Sequence, residues 1–282
     1  MVAAPQPEDA PAGVGSTPGI ILVGCGNMGG ALLAGWLDRG IPPASVHVVE
    51  PAIGHLGRLP AGVGSSADAA AAPAVADAVV LAVKPQLLAD VAPAYADRAR
   101  GGSLILSIAA GRTLASLAGW LGAGTAIVRA MPNTPAAIGR GISVAVASAG
   151  VDPGQRRLAD ELLAAAGEVA WVDDEALIDA VTAVSGSGPA YVFLLAECLT
   201  DAGIEVGLSP ALAARLARAT VAGAGELLHR AEEPAAELRR RVTSPGGTTE
   251  AALAVLMAAD GLAPLFIRAV AAAAARARTL AG

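Results

Sequence analysis

Residues Ile20 to Gly30 admit few folds. Four apolar residues, Ile20-Ile21-Leu22-Val23, run straight into Gly24-Cys25-Gly26-Asn27-Met28-Gly29 and then into an apolar helical pattern. The order predicts strand, tight turn, helix, and the spacing G-x-G-x-x-G gives each glycine a physical task. The first lets the chain turn sharply, the second lets backbone approach a pyrophosphate, and the third lets the helix pack closely on the strand. A phosphate would then rest on unpaired N–H groups at the helix start. With 34 glycines in 282 residues the six letters also arise by chance, so the surrounding pattern has to decide.

That pattern is β-α-β. The helix predicted over Gly30–Arg39 has an apolar face of Leu32, Leu33, Trp36 and Leu37 and a glycine stop at Gly40. A second strand over Ser45–Val49 ends at Glu50, 21 residues beyond Gly29, where a carboxylate usually takes the ribose hydroxyls of NAD. Further strands are predicted at Val79–Val83, Leu104–Ile108, Ala126–Ala130, Ile142–Ala147 and Glu168–Val172, with a helix at Gln155–Ala166. Short apolar runs alternating with helices indicate a parallel sheet covered on both faces. Lys84-Pro85 and Ala109-Ala110-Gly111 fall at strand C-termini, the edge where open α/β sheets bind ligands. Lys84 is the sole lysine of the chain. It is either the accident of a bias toward arginine or an ammonium placed beside an anionic ligand. In Met131-Pro132-Asn133-Thr134-Pro135 the polar pair suits ligand contact and turn capping equally.

After Asp173 the strands stop. Helices are predicted at Glu175–Val184, Pro189–Val206, Pro210–Ala231, Pro234–Val242, Thr249–Ala259 and Leu262–Leu280. Several are apolar nearly all round, and a helical region of this size cannot bury them within one chain, so an intimate homodimer is expected. Residues 1–18 read as a disordered tail, 19–172 as a dinucleotide-binding Rossmann domain and 173–282 as a helical dimerisation and substrate-binding domain. The fold class is therefore an α/β Rossmann-type N-terminal domain plus an all-α C-terminal dimerisation domain. Two glycine-rich stretches interrupt the helices, Ser185-Gly186-Ser187-Gly188 and Ser244-Pro245-Gly246-Gly247-Thr248-Thr249. Each opens a helix, and the second offers hydroxyls and exposed N–H groups suited to a carboxylate.

Composition removes several classes. A formal net charge of -6 argues against a polyanion partner, so no nucleic acid is expected. Mean hydropathy is +0.57, yet charge, Gly or Pro breaks every long apolar run, so no membrane span is expected. Cys25 and Cys198 cannot build a disulfide framework, which suits a reducing cytoplasm. Neither cysteine spacing suggests a metal site, and the first residues lack the pattern of a signal peptide.

Taken in order, Gly24-x-Gly-Asn-Met-Gly29, Ala82-Val83-Lys84-Pro85, Arg129-Ala-Met131-Pro132-Asn133-Thr134-Pro135, Asp179 to Tyr191 and Val242 to Thr249 resemble pyrroline-5-carboxylate reductase. The likeness covers about residues 19–280, and its last two motifs are specific to that family. It implies NAD(P)H-dependent reduction of 1-pyrroline-5-carboxylate to L-proline, with NADPH or NADH as cofactor. A helical domain exchanged within a dimer, and commonly a ring of dimers, is implied as well. It would place the pyrophosphate on Val23, Gly24, Cys25, Gly26, Asn27 and Met28. The nicotinamide ribose would lie near Val83, Lys84 and Pro85 and near Ile108, Ala109 and Ala110, with a further cofactor contact at Glu175. Substrate would lie on Ser244, Gly246, Gly247, Thr248 and Thr249.

A cyclic imine is protonatable at nitrogen and its iminium carbon accepts hydride readily, so the protein mainly positions two partners. His47, His55 and His229 all lie outside the motifs, and Thr249 is the expected hydrogen-bond partner of the ring nitrogen. Glu50-Pro51 departs from the family, many of whose members favour NADPH. A carboxylate there repels a 2′-phosphate unless Arg58 compensates, so NADH is expected to be at least competent. Two alternatives stand beside this reading. A β-hydroxyacid-type dehydrogenase would share the plan, but such enzymes carry a catalytic lysine on the interdomain helix and no lysine follows Lys84. A non-catalytic paralogue sensing NAD(P) or proline is opposed by the intact Ser244–Thr249 motif.

Overall fold

The computed structural model describes residues 17–52 and 59–281. The predicted tail lies outside them except for Thr17 and Pro18, as do His55 and Arg58.

One eight-stranded sheet organises the described residues between Ile20 and Trp171. Its strands are β1 Ile20–Val23, β2 Val46–Val49, β3 Gly64–Ser66, β4 Ala78–Leu81, β5 Leu104–Ser107, β6 Ile127–Met131, β7 Gly141–Ala147 and β8 Gly167–Trp171. They lie in the order β3-β2-β1-β4-β5-β6-β7-β8. All neighbours pair in parallel except β6 and β7, which are antiparallel. The chain therefore starts in the middle and reverses direction of growth between β1 and β4, leaving a crevice beyond their carboxyl ends.

Helices cover both faces of the sheet. On one face α1 Asn27–Asp38 buries Leu32, Leu33 and Trp36 against Ile20, Leu22, Val48 and Val80. The other face takes alternate strand residues, Ile21, Val23, Val79, Leu81 and Ile105, as the period of two requires. Against these pack α2 Leu88–Val91, the 3-10 turn Ala92–Tyr95, α3 Ala96–Arg100 and α4 Leu114–Leu121 through Leu88, Tyr95, Ala99, Leu117 and Leu121. A further helix on the first face, α5 Pro153–Ala164, begins with a capping box between Asp152 and Gln155. Its Leu162 carbonyl accepts the Trp36 indole N–H at 2.8 Å.

Beyond β8 the chain is helical: α6 Leu177–Val181, α7 Gly188–Glu205, α8 Pro210–Arg230, α9 Ala235–Arg241, α10 Thr248–Leu256 and α11 Leu262–Ala281. The expected loop at Ser185–Gly188 is instead a π-helical turn, Thr182–Gly186, joining α6 to α7. Gly186 lets the Met131 methyl carbon pack close, 2.6 Å from where a Cβ would stand. The resulting 29-residue helix, Leu177–Glu205, is long and apolar enough by length and composition to cross a membrane. Its apolar surface belongs to a wider one: α7, α9 and α10 bury no residue, and Phe193, Leu227, Val255 and Ile267 are each more than 60% exposed.

Candidate active site

The glycine turn has the three features its spacing predicts. Gly24 sits at φ +86°, and a Cβ there would meet Val83 Cγ1 at 2.9 Å. A Cβ on Gly29 would run into the Gly24 carbonyl oxygen, so only glycine lets α1 start this close to β1. Gly26 faces open space with no heavy atom within 4 Å of a notional Cβ. The turn is thus closed on the protein side and bare on the outer side, a backbone cradle that fits a pyrophosphate. Gly26 is the N-cap of α1 and brings no side-chain cap bond, so the first helical N–H groups stay available.

The neighbouring loops converge on this cradle. Val83 touches the Gly24 position, and the Ile108 N–H donates to the Leu81 carbonyl at 3.1 Å, drawing the β5 exit alongside the β4 exit. Arg112 Nε donates to the Pro85 carbonyl at 3.0 Å, tying the loop after Ala109-Ala110 to Lys84-Pro85. Pro85 and Ala110 line a cavity of about 250 Å³ with Arg112, Asp179 and Leu280 of the last turn of α11. Lys84 is exposed beside it and makes no ion pair among the described residues.

Glu50 turns toward the cradle. Its carboxylate accepts the Cys25 N–H at 3.1 Å and the Ala52 N–H at 3.1 Å. Burial, and secondly the Glu50 charge, push the Cys25 thiol up from its ordinary value, so it stays neutral. Glu175 sits just before α6, and its Oε1 accepts from Arg129 Nη1 at 2.7 Å and from the Leu114 N–H at 2.8 Å. Arg129 is 3% exposed on β6. This pair, invisible in the sequence, fastens the start of the helical region to both the sheet and α4. Asn133 does not cap its own turn: its side-chain oxygen accepts the Ile142 N–H at 2.9 Å and ties the turn to the start of β7.

Ser244–Thr249 opens α10, with Gly247 as the N-cap. Gly246 has φ +71°, the Gly247 N–H donates to the Ser244 carbonyl at 3.0 Å, and the Gly246 N–H donates to Glu250 Oε2 at 2.7 Å. The N–H groups of Thr248 and Thr249 and the hydroxyls of Ser244, Thr248 and Thr249 make no protein hydrogen bond among the described residues. Ser244 and Thr248 are exposed, and within one chain no hydrogen bond joins this loop to the sheet edge among the described residues. The structure thus gathers the cofactor candidates at one edge and leaves the substrate candidates on an outlying helix pair.

A Rossmann sheet with a bare glycine cradle, followed by a helical region rich in unburied apolar surface, defines a dinucleotide-dependent oxidoreductase of two parts. Two family profiles match the chain: "Pyrroline-5-carboxylate reductase dimerisation" over residues 175–280 and "NADP oxidoreductase coenzyme F420-dependent" over residues 19–111. The pyrroline-5-carboxylate reductase of Pseudomonas aeruginosa is 46% identical over 268 residues, 94% of this chain and 98% of that protein. A solved pyrroline-5-carboxylate reductase from Coxiella burnetii superposes with a TM-score of 0.89 at 38% identity, covering 95% of this chain and 100% of the other. A Plasmodium falciparum pyrroline carboxylate reductase with NADP bound gives a TM-score of 0.78 at 27% identity, covering 94% and 98%. The chain belongs to the pyrroline-5-carboxylate reductase family.

Proposed function

We propose that this chain catalyses the NAD(P)H-dependent reduction of 1-pyrroline-5-carboxylate to L-proline, the last step of proline biosynthesis. What carries the reading is the pairing of a dinucleotide edge with a loop of free N–H and hydroxyl donors, Ser244–Thr249, at the start of α10. Gly26, Asn27 and Met28 would hold the pyrophosphate on their backbone donors, while Val23, Gly24 and Cys25 shape the turn. The Gly24 N–H is taken by the Val49 carbonyl at 2.9 Å and the Cys25 N–H by Glu50 at 3.1 Å. Val83-Lys84-Pro85, Ile108-Ala109-Ala110 and Glu175 frame the nicotinamide end. The bound nicotinamide supplies hydride from C4 to the imine carbon.

On the substrate side, Thr248 and Thr249 N–H groups and the positive end of α10 hold the carboxylate, with Ser244, Gly246 and Gly247 shaping the turn around it. The Thr249 hydroxyl hydrogen-bonds the ring nitrogen and orients the imine. No histidine acid is needed. His47 is engaged with Ser66 Oγ at 2.9 Å, and His229 faces Glu168 at 4.0 Å.

The Glu50 carboxylate, 3.1 Å from the Cys25 nitrogen, stands against a 2′-phosphate, so NADH serves alongside NADPH. Because the substrate loop lies apart from the cofactor edge of its own chain, the domain boundary falls at residues 172/173 and the helical domain exchanges into a second copy. Rings of such dimers are a natural extension. The exposed apolar surface of α7 then lies in that interface rather than in a membrane. Free thiols at Cys25 and Cys198 suit the cytoplasm, and the acidic charge suits no nucleic acid.

The experiment is imine-dependent oxidation of NADH and NADPH by the wild type and by Thr249→Ala. The wild type turns over, and the variant loses at least about tenfold in kcat with little change in melting temperature. A wild type that binds NAD(P)H without oxidising it would favour the sensor alternative, and full activity in the variant would remove Thr249 from its role.

A further inference from the structure

We infer that Glu250 is a positioning residue for the substrate carboxylate, a latch that reaches back from the third residue of α10 and holds the Ser244–Thr249 turn in its binding shape. This rests on the proposed function, since it assigns the loop to the imine carboxylate.

The argument begins with the way this helix starts. In an ordinary capping box the N-cap side chain accepts the N–H of the third helical residue, while that residue's carboxylate accepts the N–H of the N-cap. Here the N-cap is Gly247, which has no side chain to give. The first N–H groups of α10 are therefore left uncapped by protein, which is what an external anion requires. The second half of the exchange is displaced by one residue. The Gly247 N–H is already used by the Ser244 carbonyl at 3.0 Å, and the Glu250 carboxylate passes it to take the Gly246 N–H at 2.7 Å.

Two consequences follow for the turn. Gly246 is at φ +71°, a left-handed conformation that an isolated glycine populates only as one of several wells. A charge-assisted hydrogen bond to its N–H selects that well. The two inner N–H groups, of Gly246 and Gly247, are thereby consumed within the loop, and the outer ones of Thr248 and Thr249 are left as the donors presented to a ligand. Glu250 thus decides which backbone donors are offered and spares the substrate the entropy of ordering them.

The bond is solvent-exposed, so it contributes little to global stability. Its effect should therefore fall on substrate binding rather than on folding. This separates it from Glu175, the partner of the buried Arg129, whose loss acts on folding.

The test compares wild type, Glu250→Leu and Glu250→Gln by initial rates with 1-pyrroline-5-carboxylate and NADH. Leucine keeps the bulk and removes the acceptor; glutamine keeps an acceptor oxygen and removes the charge. In the leucine variant KM for the imine rises about three- to fivefold, the scale of one exposed charge-assisted hydrogen bond, while kcat stays within about twofold. KM for NADH and the melting temperature hardly move. Glutamine restores most of the imine KM. An imine KM in Glu250→Leu within about twofold of wild type overturns the inference, as does a glutamine variant as impaired as leucine. If the leucine variant fails to fold, Glu250→Asp, one methylene too short to reach Gly246, takes its place with the same expectation. Absence of turnover in the wild type defeats the proposed function instead, and is distinguishable because no variant is needed to see it.

Discussion

Replacing Glu175 with alanine removes an acceptor shared by two donors that have no other destination. Arg129 is 3% exposed, and its Nη1 donates to Glu175 Oε1 at 2.7 Å; the Leu114 N–H donates to the same oxygen at 2.8 Å. Removing one partner of a fully buried ion pair costs about 3–5 kcal/mol, because the remaining charge stays desolvated and unpaired. The Glu175 side chain is 28% exposed, so water can enter the vacated space and reach the guanidinium. This lowers the expected loss to about 2–3 kcal/mol. At about 2–4 °C per kcal/mol for a chain of this size, melting should fall by about 5–10 °C. Glu175→Gln keeps an acceptor for both donors without the charge and should lose roughly half as much. Urea and thermal unfolding of the three proteins at one protein concentration provide the assay, since a dimer's midpoint depends on concentration. An alanine variant within about 0.5 kcal/mol of wild type would refute the idea that this pair fastens the helical region to the sheet.

Four further outcomes are expected. Glu50→Ser should raise kcat/KM for NADPH relative to NADH by about tenfold, because a carboxylate is withdrawn from the ribose position; an unchanged ratio would mean the 2′-phosphate never approaches it. Gly29→Ala forces a Cβ into the Gly24 carbonyl and should cost about 1–3 kcal/mol together with cofactor affinity, read by unfolding and by NADH fluorescence titration. His47 is held below its ordinary value of 6.5, first by burial and then by the Arg98 charge, so the unfolded chain takes the proton more readily than the folded one. Stability from this residue is complete above that value and falls as pH drops through it, and pH-dependent unfolding of His47→Gln should lack that increment. Light scattering at low micromolar concentration should find no stable monomer, since one would leave the faces of α7, α8, α10 and α11 in water.

Much of this protein was legible from local pattern. The strand, glycine turn and helix at Ile20–Asp38 follow from apolar period and from the steric demands of three glycines, all settled within a few residues of each other. The six strands expected after β1 lie within two residues of their observed bounds, and the six C-terminal helices fall where caps and periodicity put them. The edge strand Gly64–Ser66 left no signal because Gly-Ser-Ser has no apolar face to read. Helix α4 also went unread, as did the short helical turns α2 and α3, and the π-helical turn at Thr182–Gly186 looked like a loop because Gly-Ser-Gly usually breaks helices.

What the sequence by itself determined, then, was the kind of element at each position, the cradle for a dinucleotide and the presence of a second donor-rich turn. Hydrogen-bond partners are a different matter. The pairing of Arg129 with Glu175 spans 46 residues and that of Cys25 with Glu50 spans 25, and neither spacing implies contact. The antiparallel pairing of β7 with β6 departs from the expected parallel sheet. The residues of a buried strand read the same in either direction, and only the short connection from Met131 to Gly141 hints at it. Only the folded chain decided that Glu50 faces the glycine turn and that Glu250 occupies an inner N–H of the substrate loop. The reason is physical: backbone conformation is set by neighbours in the chain, whereas the orientation of a charge is set by whatever the fold brings beside it.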